Sequence, residues 1–242
     1  MAGIDLAVSS CVTDTDLRLR FGLNDVAAVL SRPPKARCLI ALAHGAGAGM
    51  RHPSMETLSR ALVAEGLATL RFQFPYMEAG GGPVDAQSVA IETVCEAVET
   101  AGRVAPNLPV FAGGRSFGGR MTSNALASAS LPAVLGLVFF AFPLHPANRP
   151  GTSRADHLAK VPTPMLFLQG TRDALSDLEL LRPVIDRLGS RATLHLLEGA
   201  DHGFHVLKRS GRTDPEVLAE VAGTVRAWTS QVAEGTRDTL AV

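Results

Sequence analysis

Hydrophobic positions alternate near the start of the chain and then gather into short continuous runs. Apolar and basic residues alternate over 17–21, turn residues are frequent over 22–25, and a second apolar stretch covers 26–30. This pattern predicts an antiparallel hairpin with one face in solvent. Continuous apolar runs bounded by glycine or proline follow at 38–43, 68–74, 110–112, 135–142, 165–168 and 193–197. Such runs are typical of strands buried on both faces, as in a parallel sheet.

Stretches with helical periodicity lie between these runs. Apolar residues recur at intervals of three and four over 55–62, 91–98 and 178–188, and a last helix is predicted to begin at Asp214. Strands that alternate with helices after an opening hairpin predict an α/β fold, with a mostly parallel, doubly wound sheet whose first strands are antiparallel. There is no internal repeat and no low-complexity linker, so the sequence predicts a single domain over 1–242.

Overall charge narrows the class of partner. The 242 residues carry 23 basic and 23 acidic side chains and no formal net charge, and 46% of them are hydrophobic. Nucleic acids and membrane surfaces select for a basic excess, so the bulk charge predicts no nucleic-acid partner and no membrane partner. A small, uncharged or mildly charged molecule is the partner that this neutrality favours.

Cysteine spacing and the amino terminus bear on the cellular compartment. Cys11, Cys38 and Cys95 are odd in number and widely spaced, which indicates neither a disulfide framework nor a zinc site. The first residues lack the basic start and apolar stretch of a signal peptide. The longest apolar run, 131–144, contains prolines and is shorter than the ~20 residues of a membrane helix. These features predict a cytoplasmic protein without a metal site.

One segment carries the pattern of a nucleophile. The apolar run at 110–112 leads into GRSFG at 114–118, and a helix-compatible segment follows at 121–129. A serine on so sharp a strand-to-helix turn exposes its Oγ, and glycines two residues on either side let the backbone pass closely. The backbone N–H of Phe117, at the start of the helix, can then donate to an oxyanion. Ser116 is therefore the predicted nucleophile.

A base and an orienting acid follow in the loops after two later strands. Asp173 comes just after the run at 165–168 and His202 just after the run at 193–197, at strand ends where open α/β sheets collect their sites. Ser116, Asp173 and His202 stand in the chain order of a serine triad on such a sheet. His202 would take the proton of the attacking hydroxyl, while Asp173 would hold the imidazole in the required tautomer.

Five motifs in order carry a resemblance to a known family. They are LAHGAGAG at 42–49, LRFQF at 70–74, GGRSFGGR at 113–120, QGTRD at 169–173 and GADHGF at 199–204. Over nearly its whole length the sequence resembles the α/β-hydrolase superfamily, and within it the small lidless members of the dienelactone-hydrolase-like group and the testis-expressed hydrolase-like branch. Dienelactone hydrolases proper use a cysteine nucleophile, whereas a serine, Ser116, stands here.

The resemblance implies the α/β-hydrolase fold and hydrolysis without a cofactor. It implies that Ser116, Asp173 and His202 form the catalytic triad. It also implies that Ala46 supplies the oxyanion hole with a second N–H beside that of Phe117.

Residues near the predicted triad allow other roles. His205 is an alternative base and Asp156 an alternative acid, whereas Asp177 is more typical of a helix cap. Arg115 and Arg120 flank the nucleophile and are candidates for binding a substrate carboxylate. Their alternative role is to form ion pairs on the rim of the sheet. Two further arginines are predicted in neighbouring strand-end loops, at Arg71 and Arg172.

Loop residues complete the predicted site. Tyr76 is a candidate for an apolar substrate pocket, with ordinary packing as the alternative, and His44 is predicted to brace the oxyanion loop. The glycine-rich loop 45–49 lacks the spacing of a nucleotide-binding motif. The segment between 142 and 165 contains a predicted short helix at 153–160 and leaves no room for a cap domain.

The predicted function is a serine hydrolase that cleaves carboxylic esters of small substrates through an acyl-enzyme. A triad does not identify the leaving group, so thioesterase and peptidase chemistry stay open. The alternative from another class is a non-catalytic α/β-hydrolase scaffold that binds a partner protein. The chain is also a candidate homodimer.

Overall fold

One eight-stranded sheet organises the chain in a computed structural model, which describes residues 12–240. The strands are β1 Thr13–Phe21, β2 Asn24–Arg32, β3 Cys38–Ala43, β4 Leu67–Phe72, β5 Val110–Arg115, β6 Val134–Phe140, β7 Met165–Gly170 and β8 Ala192–Leu197. Across the sheet they lie in the order β1, β2, β4, β3, β5, β6, β7, β8. β2 is antiparallel to both of its neighbours, and the other adjacent strands are parallel. The predicted fold class, with its opening hairpin, is confirmed.

Helices alternate with the strands as predicted. The α-helices are α1 Pro53–Ala64, α2 Pro75–Glu78, α3 Gln87–Val104, α4 Phe117–Ser128, α5 Leu178–Leu188 and α6 Asp214–Leu240. Short 3-10 helices cover Ser153–Lys160, Gly189–Arg191 and Lys208–Ser210. The helix predicted at 153–160 thus has the predicted bounds, with 3-10 geometry.

Burial on both faces explains the continuous apolar runs. In β3, Leu39 and Ala41 face the layer of α3, α4 and α5, while Ile40 and Leu42 face α1 and α6. Because every side chain of such a strand is buried, none of its positions favours a polar residue. Parallel strands also point the same way, so the loops after β3, β5, β7 and β8 meet at one edge of the sheet.

β5 is longer than its apolar run. The run ends at 112, whereas the strand continues through Gly113 and Gly114 to Arg115. Glycine has no side chain to contribute to a hydrophobic pattern, so the pattern stops before the strand does. The strand therefore ends at Arg115, directly before Ser116.

The prediction that Arg71 lies in a strand-end loop is wrong. It lies inside β4, paired with Leu42 of β3 and Val29 of β2, and only 4% of its surface is exposed. A long polar side chain fits here because α1 leaves a cavity beside the outer strand β2. The apolar run predicted the strand correctly but not this polar space beneath it.

The connection between β6 and β7 carries no cap domain. Residues 141–164 run between these strands and contain the 3-10 helix Ser153–Lys160. Within the described chain, no helix combines the length and the apolar character needed to cross a membrane. Cys38 and Cys95 are free thiols, whereas Cys11 lies outside the described residues.

Candidate active site

Ser116 occupies the single position between β5 and α4. Its backbone has φ 51° and ψ −115°, a region that costs a non-glycine residue about 1–3 kcal/mol. Its N–H donates to the carbonyl of Phe140 on the neighbouring strand at 3.1 Å, which holds the turn in place. The sharp turn leaves the side chain partly exposed at the strand ends, as the sequence predicts for a nucleophile.

Glycines at 114 and 118 allow this turn to close. A Cβ built on Gly114 would lie 2.6 Å from the carbonyl carbon of Gly118, and one built on Gly118 would lie 2.5 Å from the carbonyl oxygen of His44. Both distances are far inside van der Waals contact. The predicted reason for the two glycines, close passage of the backbone, is therefore confirmed.

His202 lies in the loop after β8 and contacts both other members of the predicted triad. Its Nε2 is 2.8 Å from Ser116 Oγ, and its Nδ1 is 2.7 Å from Asp173 Oδ2. A carboxylate accepts only, so Nδ1 carries the proton and Nε2 is left as an acceptor for the serine hydroxyl. Only 26% of the imidazole side chain is exposed.

Asp173 is held by several donors in the loop after β7. Its side chain is fully buried. Oδ2 accepts from Gln169 Nε2 at 2.5 Å as well as from His202, and Oδ1 accepts from the N–H of Leu175 at 2.8 Å. The sequence analysis assigned no role to Gln169. A polar amide at the end of an apolar strand is nevertheless a signal of a hydrogen-bond partner, because buried polar groups are almost always hydrogen-bonded.

The backbone of two segments lies close to Ser116. Phe117 is the first residue of α4, so its N–H has no acceptor within the helix. On the opposite side, a Cβ built on Gly45 would lie 3.9 Å from Ser116 Cβ. The loop after β3 therefore passes directly beside the serine, and Ala46 is the next residue of that loop.

The family follows from comparison with known proteins. A family model described as an alpha/beta hydrolase domain matches residues 36–230. The chain belongs to the α/β-hydrolase family.

Solved structures of α/β-hydrolases share this fold. A dienelactone hydrolase from Anabaena variabilis aligns with a TM-score of 0.71 and 19% identity over 91% of this chain and 98% of its own. A serine hydrolase without a lid from Xanthomonas campestris gives 0.69 and 20% identity over 89% and 94%. A cold-adapted esterase from an Arctic intertidal metagenomic library gives 0.65 and 18% identity over 89% and 94%. At these identities the likeness shows a common fold.

His44 braces the glycine-rich loop of this α/β-hydrolase, as predicted. Its Nδ1 donates to the carbonyl of Gly45 at 2.8 Å, and its Nε2 accepts from the N–H of Phe74 at 3.1 Å. These two partners require the neutral imidazole. Burial lowers the pKa of His44 to about 4, so the ring keeps both hydrogen bonds at neutral pH.

Two further side chains hold the same loop. The Tyr76 hydroxyl donates to the carbonyl of Ala46 at 2.8 Å, and Gln73 Oε1 accepts from the N–H of Met50 at 2.8 Å. Tyr76 is 7% exposed, and its ring lies edge-on to that of Phe117 at 6.4 Å. These contacts support the loop. A role of Tyr76 in substrate binding stays a prediction.

Arg115 fastens the loop that carries His202. Its Nη2 donates to the carbonyl of His202 at 3.2 Å, and its guanidinium lies 5.3 Å from the ring centroid of Phe204. Burial lowers the pKa of Arg115, partly opposed by Asp201. A substrate carboxylate on Arg115 stays a prediction, and it would have to share the guanidinium with these contacts.

Arg120 lies one turn into α4, and its guanidinium is partly buried. Its Nε is buried without a hydrogen-bond partner in the described part of the chain. Burial lowers the pKa of Arg120, and the positive charge of Arg154 lowers it further. Its predicted role with a substrate carboxylate also stays a prediction.

The remaining candidates have structural contacts of their own. His205 Nδ1 lies 2.7 Å from Asp214, so its ring is engaged away from Ser116. Asp177 caps α5 by accepting from the N–H of Glu179 at 2.9 Å, as predicted. Asp156 lies exposed on the 3-10 helix Ser153–Lys160. Among residues 12–240, no group of three or more histidine, cysteine, aspartate or glutamate side chains is placed to hold a metal ion.

Proposed function

We propose that this α/β-hydrolase is a serine esterase that cleaves carboxylic esters of small substrates. The observation that carries the proposal is the continuous hydrogen-bonded line from Ser116 Oγ through His202 to the buried Asp173, at 2.8 and 2.7 Å. A nucleophile, a base and an orienting acid in this geometry are what acyl transfer requires.

The first half of the proposed reaction is acylation of Ser116. Ser116 Oγ attacks the ester carbonyl while His202 Nε2 accepts its proton, and Asp173 stabilises the imidazolium that forms. The N–H groups of Ala46 and Phe117 donate to the tetrahedral oxyanion. When the intermediate collapses, His202 returns the proton to the departing alkoxide, which leaves as the alcohol, and the acyl group stays as an ester on Ser116.

Deacylation repeats the chemistry with water as the nucleophile. His202 Nε2 takes a proton from water as its oxygen attacks the acyl carbonyl, and the same backbone donors stabilise the second oxyanion. Collapse breaks the bond to Ser116 Oγ, which takes the proton back from His202. The products are a carboxylic acid and a regenerated serine.

Access to the serine supports small, varied esters as substrates. No cap domain is inserted between β6 and β7 in residues 141–164, and Ser116 and His202 are both partly exposed. One structural relative is an esterase and another is a serine hydrolase without a lid. We therefore expect turnover of short-chain esters without interfacial activation.

Labelling by a fluorophosphonate tests the proposal. We expect the probe to modify Ser116, and the Ser116→Ala variant to lose both labelling and turnover of p-nitrophenyl acetate. Ser128→Ala is the matched control, because Ser128 lies exposed on the same helix and its hydroxyl bonds only to the carbonyl of Asn124 among its contacts in the structure. A folded wild-type protein that neither reacts with the probe nor hydrolyses the ester would refute esterase function and favour a non-catalytic scaffold.

A further inference from the structure

A cavity lies away from Ser116, between α1 and the outer strands of the sheet. Its volume is about 380 Å³, within the range of small-molecule sites. Its lining comes from β1, β2, β4 and α1 and the segments next to them, and consists of Val12, Asp14, Ser31, Pro33, Arg51, Glu56, Ser59, Arg60, Val63, Ala64 and Arg71. None of the proposed triad or oxyanion residues belongs to this wall.

Arg71 is the innermost charge of the cavity and is weakly paired. Only 4% of the residue is exposed. Nη1 donates to the carbonyl of Met50 at 3.1 Å, while Nε is buried without a hydrogen-bond partner among the described residues. Its ion-pair partner, Glu56 Oε1, is 3.9 Å away, beyond hydrogen-bond distance. A buried guanidinium of this kind is stabilised by an anion that can approach it.

The other charges of the wall leave Arg71 without a close partner of its own. Arg51 forms an ion pair with Asp16, which lies outside the lining. Glu56 is shared between Arg60 at 3.5 Å and Arg71 at 3.9 Å. A ligand carboxylate would supply the close partner that the buried guanidinium lacks.

The rest of the wall is apolar or carries hydroxyl groups. Val63, Ala64, Pro33 and Val12 supply apolar surface. Ser59 Oγ already bonds to Thr69 Oγ1 at 2.7 Å. The space is larger than an inorganic anion needs, and its apolar part offers such an ion nothing to bind.

We propose that this cavity is a second binding site that takes a small organic monocarboxylate, with its carboxylate on the guanidinium of Arg71 and its apolar body against α1. Arg60 at the mouth adds attraction from outside. The site is independent of ester hydrolysis, because it neither includes nor requires Ser116.

Calorimetric titration with octanoate tests the site, and the Nε–H resonance of Arg71 in a ¹H–¹⁵N spectrum reports where the ligand binds. We expect saturable binding that shifts this resonance, in wild type and in Ser116→Ala alike. Octanol, which has the same chain without the charge, should bind at least tenfold more weakly. Equal binding of octanol, or an Arg71 resonance that does not move, would overturn the proposal.

Variants at the exposed mouth of the cavity test the site without replacing the buried Arg71, whose loss could unfold the protein. Arg60 is 80% exposed in its side chain and Ala64 is exposed, so neither substitution disturbs the core. Arg60→Glu and Ala64→Phe should each weaken octanoate binding about tenfold or more, whereas Arg187→Glu, the same charge reversal on the exposed face of α5, should not. Unchanged affinity in both mouth variants, or tighter binding of inorganic phosphate than of octanoate, contradicts the assignment.

Discussion

The two sides of Ser116 are built from different kinds of group. On the acid–base side, side chains of residues distant in sequence touch each other: His202 contacts Ser116 and Asp173 at 2.8 and 2.7 Å. On the proposed oxyanion side, the groups beside the serine belong to the backbone, at Phe117 and in the loop that contains Gly45. Buried side chains, among them His44 and Tyr76, hold that backbone through its carbonyls.

This difference decides how each side tolerates change. In the proposed mechanism, each chemical role on the acid–base side belongs to one atom, so a single substitution would remove a step of the reaction. The proposed oxyanion donors are backbone N–H groups, which every substitution except proline retains, so other variants would only shift them. We therefore expect large losses of rate from the triad residues, and smaller effects on rate or stability from the residues that hold the backbone.

Among variants that keep the nucleophile, Asp173→Asn gives the largest expected effect. The amide cannot hold the His202 tautomer that a carboxylate selects, so kcat should fall roughly 10³–10⁴-fold with little change in fold. Steady-state kinetics with p-nitrophenyl acetate measures the loss. Asp177→Asn is the matched control, because Asp177 caps α5 four residues further on and should leave kcat unchanged. A loss below tenfold in Asp173→Asn would show that the two sides do not differ as described.

The pH dependence of stability tests the oxyanion side. Burial lowers the pKa of His44 to about 4, below the value of about 6.5 in an unfolded chain. Between these values the unfolded state binds a proton that the folded state does not, so this contribution is complete above pH 6.5 and is lost as the pH falls. Urea denaturation should show about 2 kcal/mol less stability from His44 at pH 5 than at pH 7.

A variant separates the effect of His44 from that of His157, a second histidine with a lowered pKa. Burial and the charge of Arg120 lower the pKa of His157 to about 4 as well, so the wild type should lose stability through both rings. His44→Gln keeps a donor and an acceptor but cannot titrate, and its stability should depend less steeply on pH. The same slope in wild type and His44→Gln would show that His44 does not hold the loop as a neutral ring.

Most of the fold was predictable because burial leaves a direct pattern in the sequence. A strand covered on both faces, such as β3, reads as a continuous apolar run with the observed bounds. The pattern fails where a residue has no side chain, as at Gly113 in β5, or where a polar cavity lies under a strand, as at Arg71. A hydrophobic pattern reports neither a missing side chain nor a polar cavity, so it could not predict these two positions.

In the candidate site, the sequence predicted the proposed triad better than the residues that support it. Ser116, Asp173 and His202 were found because each stands in a short motif after a strand, and the structure brings their side chains together. The supports of the site were harder to predict. Gln169 and Tyr76 act through hydrogen bonds to a carboxylate and to a carbonyl. Of the two, only Gln169 has a signal in the sequence, which is a polar amide at the end of an apolar run.

Tyr76→Phe measures how much the held backbone contributes. The change removes the hydroxyl that donates to the carbonyl of Ala46 at 2.8 Å and leaves the ring against Phe117. We expect kcat to fall roughly tenfold, less than the loss of an oxyanion donor itself, with KM nearly constant because the oxyanion exists only after attack. A rise in KM at constant kcat would instead support the predicted contact of Tyr76 with substrate.

Arg115→Met has the smallest expected effect. Arg115 supports His202 through its backbone carbonyl, so this variant tests whether a backbone support on the acid–base side also has a small effect. Loss of its hydrogen bond to His202 and of its contact with Phe204 should lower kcat about threefold, the cost of one ordinary hydrogen bond. The loss should be equal for p-nitrophenyl acetate and for an ester that bears a free carboxylate. Arg172→Met, which removes a bond to the carbonyl of Gly199, should leave both rates unchanged. A rise in KM for the anionic ester alone would show that Arg115 binds a substrate carboxylate. Its role would then not be limited to holding the backbone of His202.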